Sequence, residues 1–289
     1  EETIIEKNIF EGGIFQADNE PNVLVSKNIF KNVTFSLTSA HFEYNVFDSN
    51  CNIERFYPQS YISGTAYDFK NNHIYARINK FQNGKYLRFF NNTYDITSGD
   101  NITGYLEYFT GNNILGGSGY KYKRDLNLGN NNLDVNAENN YWGTASLSEV
   151  EDKIYDQGND FNLGKVDVNP ILTTPSSTAP ISKVKNLKIT RLANSTELTW
   201  DANSESDVAG YKLHYGTLTQ GNAPPYTQTY NNVIDLGNVT SKTLTFGLGT
   251  TDGITVTAYD SDADGTDDQI EGHESWFVDG EVVSAPVGV

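Results

Sequence analysis

The sequence predicts an all-β chain, a parallel β-helix (solenoid) followed by a β-sandwich. Three observations carry that prediction. A short Asn-centred phrase recurs about every twenty residues through the first half. Brief alternating apolar stretches fill the second half. Tyr (18) and Phe (15) carry much of the apolar content, with no long run of Ala, Leu, Glu and Lys at helical spacing, and such side chains suit pleated, half-buried surfaces.

The recurring phrase is Asn, one residue, then an aliphatic or aromatic residue. It starts at Asn8, Asn28, Asn45, Asn72, Asn92, Asn113 and Asn131, with steps of 20, 17, 27, 20, 21 and 18 residues. One coil of a parallel β-helix has about this length, and it cannot bury its apolar face alone; stacked coils share a continuous core. The apolar residues of each phrase are expected inside. The Asn is expected in the turn, where it tolerates left-handed backbone geometry, and stacked Asn side chains can bond coil to coil as a ladder. The long step, with Arg55, Phe56, Tyr57, Pro58 and Tyr61, reads as a loop bulging from the cylinder.

The stretch Glu138-Asn139-Asn140-Tyr141-Trp142-Gly143-Thr144, then Leu147 to Asp156, then Leu163 to Asp167 and Pro170, resembles the end of right-handed parallel β-helix proteins of the NosD-like and pectate-lyase-like superfamily. The resemblance covers residues 1–172. It implies that this phrase closes the last coil and that a short helix then caps the cylinder. Ser146 and Glu149 fit a capping box, and Leu147, Val150 and Ile154 fall on one helical face. A helix there would cover an open sheet edge.

Residues 173–182, rich in Pro, Ser and Thr, read as a semi-extended linker. Residues 183–289 then hold stretches expected as strands at 184–189, 197–200, 210–216, 232–236, 242–246, 253–259 and 281–284, a β-sandwich pattern. Leu198-Thr199-Trp200, Asp207 to Gly216 and Thr255 to Asp260 resemble a bacterial fibronectin type III domain, with Trp200 as its core tryptophan. This chain departs from that family where Asp252 and Gly253 replace the usual Tyr. The resemblance implies a spacer or docking module of a secreted protein.

The net charge of −17 opposes binding to phosphate backbones, so nucleic acid is not an expected partner. No apolar stretch reaches the ~18 residues that a membrane-spanning helix needs, so membrane insertion is not expected. The single cysteine, Cys51, cannot form an internal disulfide and reads as a buried thiol. The repeat is already under way at Glu1, as in a mature or excised fragment.

Acidic residues concentrate after Thr243, where Lys and Arg are absent. Asp260 to Glu271 fits D-x-D-x-D-G-x5-E, with Asp260, Asp262, Asp264, Thr266, Asp268 and Glu271 at the ligand positions and Gly265 at the sharp turn. Carboxylates at alternate positions converge on one hard cation, so calcium is the expected cofactor. Asp267 stands where an apolar residue is usual, and strands are expected on both sides of the loop. The competing reading is an acidic, solvated hairpin loop.

The superfamily resemblance raises the question of catalysis on acidic polysaccharides. A hydrolase needs paired carboxylates at a defined separation, and the clustered Asp and Gly-His-Gly of polygalacturonases are absent. A lyase needs carboxylates for calcium and a basic residue; Arg55, Arg77, Arg88, Lys121 and Arg124 are candidates without an accompanying Asp cluster. Tyr57 and Tyr61 could stack on sugar rings, and Arg77-Ile78-Asn79-Lys80 distantly resembles a basic sugar-binding motif. The reading is an extracellular or cell-surface structural or adhesive module. Its expected partners are a polysaccharide or cell-surface glycan, or other copies of the surface protein. The alternatives are a polysaccharide lyase or glycoside hydrolase, and a surface-lattice or filament subunit.

Overall fold

The structure is a computed structural model that describes residues 2–17, 22–38, 40–56, 66–128, 130–220, 228–248 and 253–278. The chain divides into two compact units, Glu1–Pro180 and Ile181–Val289.

The first unit is a parallel β-solenoid. An eight-stranded sheet and a six-stranded sheet run along it, and Ile14–Ala17, Thr34–Thr38 and Asn52–Ile53 form a third. The pairings between coils are parallel and mostly in register: Ile9 faces Ile29, Phe10 faces Phe30, and Tyr67 to Lys70 face Leu87 to Phe90. Each coil thus places its apolar phrase above that of the coil before it. Phe10, Phe30 and Phe47 stack along the six-stranded sheet and Phe69, Phe89 and Phe109 along the eight-stranded one, and the Phe47–Phe69 and Phe109–Trp142 contacts join them in one aromatic column with centroids 5.0–5.7 Å apart.

Beside this column runs the Asn ladder, formed by Asn8, Asn28, Asn45, Asn72, Asn92, Asn112 and Asn140. Two of the expected starting points are therefore corrected. The sixth rung is Asn112 rather than Asn113, because Thr93 pairs with Asn113 and Tyr94 with Ile114. The seventh is Asn140 rather than Asn131: the phrase Asn140-Tyr141-Trp142 supplies both the ladder amide and the buried ring. The turn geometry also differs. The left-handed residue is the one before each ladder Asn, namely Lys7, Lys27, Tyr44, Asn71, Asn91, Gly111 and Asn139, with φ between 52° and 69°. The ladder Asn itself points inward and binds across that turn.

The cap is smaller than the sequence implied. Leu147–Glu151 forms a short helix whose N-cap Ser146 accepts the Glu149 N–H. The Glu149 carboxylate accepts from Thr144 Oγ1 at 2.7 Å instead of reaching back to Ser146. Ile154 is not on the helix. It begins a strand, Ile154–Tyr155, paired with Tyr122–Lys123, and Val166–Asp167 pairs with Val135–Asn136, so coil pairing continues past the helix. The segment that reads as a linker is laid against the coils up to Pro180. Ser176 N–H donates to Asn113 Oδ1 at 2.7 Å, Thr178 Oγ1 to Asn91 Oδ1 at 3.1 Å, and Thr93 Oγ1 to the Pro180 carbonyl.

Between the strands Phe81–Phe90 and Ile102–Thr110 the backbones press together. A Cβ on Gly104, at φ +126°, would lie 2.0 Å from the Phe81 carbonyl oxygen, and one on Gly84 would lie 1.8 Å from that of Tyr105. Only glycine permits this approach.

Cys51 is buried, and its Sγ–H donates to the Phe30 carbonyl at 3.3 Å. Burial pushes the thiol up to about 12. Cys51 should therefore resist a thiol-reactive disulfide reagent at about pH 8 and react only when urea opens the coils. Rapid labelling of the folded chain would contradict this placement.

Among its described residues the second unit has two antiparallel three-stranded sheets. Lys185–Leu192, Ser195–Asp201 and Ser241–Leu244 form one; Gln228–Gly237, Val208–Gln220 and Gly253–Asp260 form the other. In Ser195–Asp201, Thr196, Leu198 and Trp200 are buried and alternate with exposed residues, as a half-buried strand requires. Leu198, Trp200 and Leu244 from one sheet share an apolar cluster with Tyr211, Leu213, Ile254 and Val256 from the other. The expected strand at 281–284 lies outside the described residues.

Candidate functional site

The acidic loop follows the strand Gly253–Asp260 and closes on itself through hydrogen bonds. Asp260 Oδ1 accepts the N–H groups of Asp262 and Ala263, and Asp264 Oδ1 accepts that of Thr266. Asp268 Oδ1 accepts the Asp264 N–H at 2.9 Å, and its Oδ2 the Gly265 N–H at 3.0 Å. Gly265, at φ +90°, makes the expected sharp turn. The far side of the loop is a correction: a single helical turn, Asp268–Glu271, follows it rather than a strand. Asp267, at φ 57°, sets the chain into that turn.

Two of the expected ligands already face basic side chains. Lys212 Nζ lies 3.2 Å from Asp268 Oδ2, and His273 Nδ1 lies 3.0 Å from Asp260 Oδ2. Burial lowers the His273 pKa, but Asp260, Asp262 and Glu271 outweigh it and hold the imidazole above its ordinary value. Among the described residues, no group of three or more His, Cys, Asp and Glu side chains is arranged to hold a metal. Asp260, Asp262, Asp264, Thr266 and Asp268 are thus joined in one loop by backbone hydrogen bonds, and Glu271 sits at the end of the helical turn.

Beneath the loop lies a polar network that sequence reading missed. Glu274 is buried and accepts from Lys212 Nζ at 2.6 Å and Thr257 Oγ1 at 2.7 Å, and its Oε1 lies 3.1 Å from His214 Nε2. Alternation in the strand Val208–Gln220 puts Lys212 and His214 on one face, a signal present in the sequence. Their partner comes from an irregular segment that no periodicity marks. Burial drives the Glu274 carboxyl upward, but His214, Lys212 and Thr257 overcome it and hold its pKa below the ordinary value of 4.5. A carboxyl held lower in the folded state than in the unfolded one stabilises above its unfolded value, and that stabilisation fades as pH falls through its folded value. The second unit should therefore lose stability below about pH 4.5. Glu274→Gln should flatten that acid limb and cost about 1–2 kcal/mol near neutrality. Identical acid transitions for the two proteins, followed by tryptophan fluorescence, would refute this role for Glu274.

The loop Asn203–Asp207 precedes the strand beginning at Val208, which pairs with Asp260. Its Asn203 Oδ1, Glu205 Oε2 and Asp207 Oδ1 are buried and have no hydrogen-bond partner. The other Glu205 oxygen accepts the Ser182 N–H at 2.9 Å. Burial raises the Asp207 carboxyl above its ordinary pKa, and the charges of Asp260, Glu205 and Asp262 add to the rise.

In the first unit the candidate lyase bases are dispersed. Arg88 forms a two-pronged ion pair with Asp68, at 2.5 and 2.8 Å. Arg124 is buried, donates to the carbonyls of Gly104, Asn130 and Leu133, and lies over the Tyr105 ring. Lys121 reaches the Gly116 carbonyl, and Arg55 the Gln82 side chain. Arg77 is exposed. Tyr57 and Tyr61 lie outside the described residues, so Arg77 alone of the expected sugar-binding set has a described position. A cleft of about 450 Å³ lies between Asp152, Asp156 and Asp167 near the end of the unit. Both Asp156 oxygens there are engaged, by the Gly158 and Val166 N–H groups.

No protein-family model and no curated protein matches the chain. Among the described residues no helix is long and apolar enough to cross a membrane.

Proposed function

We propose that this chain is a structural or adhesive module of a secreted or cell-surface protein. The first unit is read as a section of right-handed β-helix of the NosD-like and pectate-lyase-like kind, serving as a stiff cylinder. The second is read as a fibronectin type III spacer or docking domain made rigid by calcium. The partner is a polysaccharide or cell-surface glycan, or further copies of the same surface protein.

One observation carries this reading: the Asn ladder and the aromatic column run unbroken from Asn8 and Phe10 to Asn140 and Trp142. Every buried rung of the ladder is committed to its neighbours, which stiffens the cylinder. The phrase ending in Trp142-Gly143, on which the superfamily resemblance rests, lies at the seventh rung. The packing of Trp200 against Tyr211, with centroids 5.5 Å apart, supports the fibronectin reading.

The test is turnover and retention on a panel of uronic-acid and neutral polysaccharides. Retention without unsaturated product is the expected result. Release of unsaturated product that disappears in Arg77→Ala would replace this reading with that of a lyase.

A further inference from the structure

We propose that the second unit binds a calcium ion at the seam between the Asn203–Asp207 loop and the start of the acidic loop, through Asn203, Glu205 and Asp207. This rests on the calcium reading above and changes its ligands. The twelve-residue pattern from Asp260 to Glu271 draws attention by its spacing, yet its Asp260 and Asp268 carboxylates are already met by loop amides and by His273 and Lys212. The unmet oxygens lie across the seam.

Asn203, Glu205 and Asp207 occupy alternate positions, and each holds one buried oxygen with no hydrogen-bond donor. Glu205 is only 5% exposed. Orphaned buried acceptors are costly, more so on carboxylates, and three within five residues call for a shared partner. The pairing of Val208 with Asp260 sets this loop beside the start of the acidic loop. Asp260, Glu205 and Asp262 all act electrostatically on Asp207. Like charges held this close, beside oxygens lacking donors, are relieved by a cation.

The donor set selects the ion. It is entirely oxygen: one from the buried Glu205 carboxylate, and one buried oxygen each from the half-buried Asp207 carboxylate and Asn203 amide. Hard oxygen donors in irregular loop geometry suit calcium, which accepts variable coordination, better than magnesium, which demands a regular octahedron, or zinc, which prefers nitrogen and sulfur. Ser182 N–H fixes the second Glu205 oxygen at 2.9 Å and so orients the carboxylate before the ion arrives.

Calorimetric titration of the full chain with calcium chloride, after chelator treatment, tests the proposal, with magnesium chloride as the comparison. Calcium should bind more tightly than magnesium. Glu205→Gln and Asp207→Asn should each weaken calcium binding by at least about tenfold, while Asp264→Asn and Glu271→Gln leave it nearly unchanged. Melting temperatures give a second readout. In chelator, Glu205→Gln should melt at or above the wild-type temperature, because it removes repulsion; in calcium it should melt below it. Loss of binding in Asp264→Asn and Glu271→Gln but not in Glu205→Gln would overturn the seam site and return the ion to the twelve-residue loop. Absence of calcium binding by the wild-type chain would overturn both assignments, leaving a hydrated acidic hairpin.

Discussion

Asn92→Ala should destabilise the solenoid by about 3–5 kcal/mol, a loss out of proportion to the three heavy atoms removed. Asn92 is fully buried. Its Oδ1 accepts both the backbone N–H and a side-chain N–H of Asn72, each at 3.0 Å. Its Nδ2 donates to the Phe69 and Phe90 carbonyls and to Asn112 Oδ1. Alanine strands the backbone N–H of Asn72, whose side-chain amide still reaches the Phe42 and Lys70 carbonyls, and withdraws a donor from the Phe69 and Phe90 carbonyls, at about 1–3 kcal/mol for each buried group left unpaired. Asn92→Asp keeps the shape but turns donors into an acceptor facing those carbonyls, so it should be no less damaging. Asn8→Ala, at a half-buried rung, should cost below about 1 kcal/mol. Urea unfolding followed by circular dichroism reads all three. Equal losses at Asn8 and Asn92 would mean that the ladder does not hold the coils.

Phe69→Ala should cost about 3–5 kcal/mol, the range for truncating a buried phenylalanine. Its ring lies in the aromatic column, 5.3 Å from Phe89 with planes 4° apart and 5.6 Å from Phe47. Phe56 meets it edge-on at 4.8 Å. Those neighbours sit on paired coils whose spacing the backbone hydrogen bonds maintain, so the hole cannot collapse and the cavity cost is retained. Phe69→Leu should cost less, about 1–2 kcal/mol. A loss below about 1 kcal/mol in Phe69→Ala would show that the coils relax into the space, against the rigidity on which the structural reading depends.

Much of this was legible without coordinates. Spacing near twenty residues marked the coils, because a solenoid repeats its environment once per turn and the sequence must repeat with it. Five of the seven ladder positions follow directly from the phrase. The two misplaced starts arose where Asn is locally abundant: Asn112-Asn113 offers two registers, and Asn130-Asn131-Asn132 comes before the Asn139-Asn140 pair that supplies the seventh rung. Only strand pairing chooses among them, and a one-residue slip would turn every side chain over. The second unit was legible in its alternation, while the alliance of Lys212, His214 and Thr257 with Glu274 was not. It joins residues separated by up to 62 positions through a segment without periodicity.

By itself, then, the sequence determined an all-β chain, a repeating first unit with Asn and aromatic rungs, a second unit of short strands, and a concentration of acid near its end. These depend on composition and period, which each residue carries locally. The tertiary structure alone decided which Asn of a run becomes a rung, which acids are satisfied by loop amides, and which buried oxygens remain without a donor. Those outcomes depend on distances between segments remote in the chain, and satisfying a buried polar group is a property of the whole fold rather than of any window of residues.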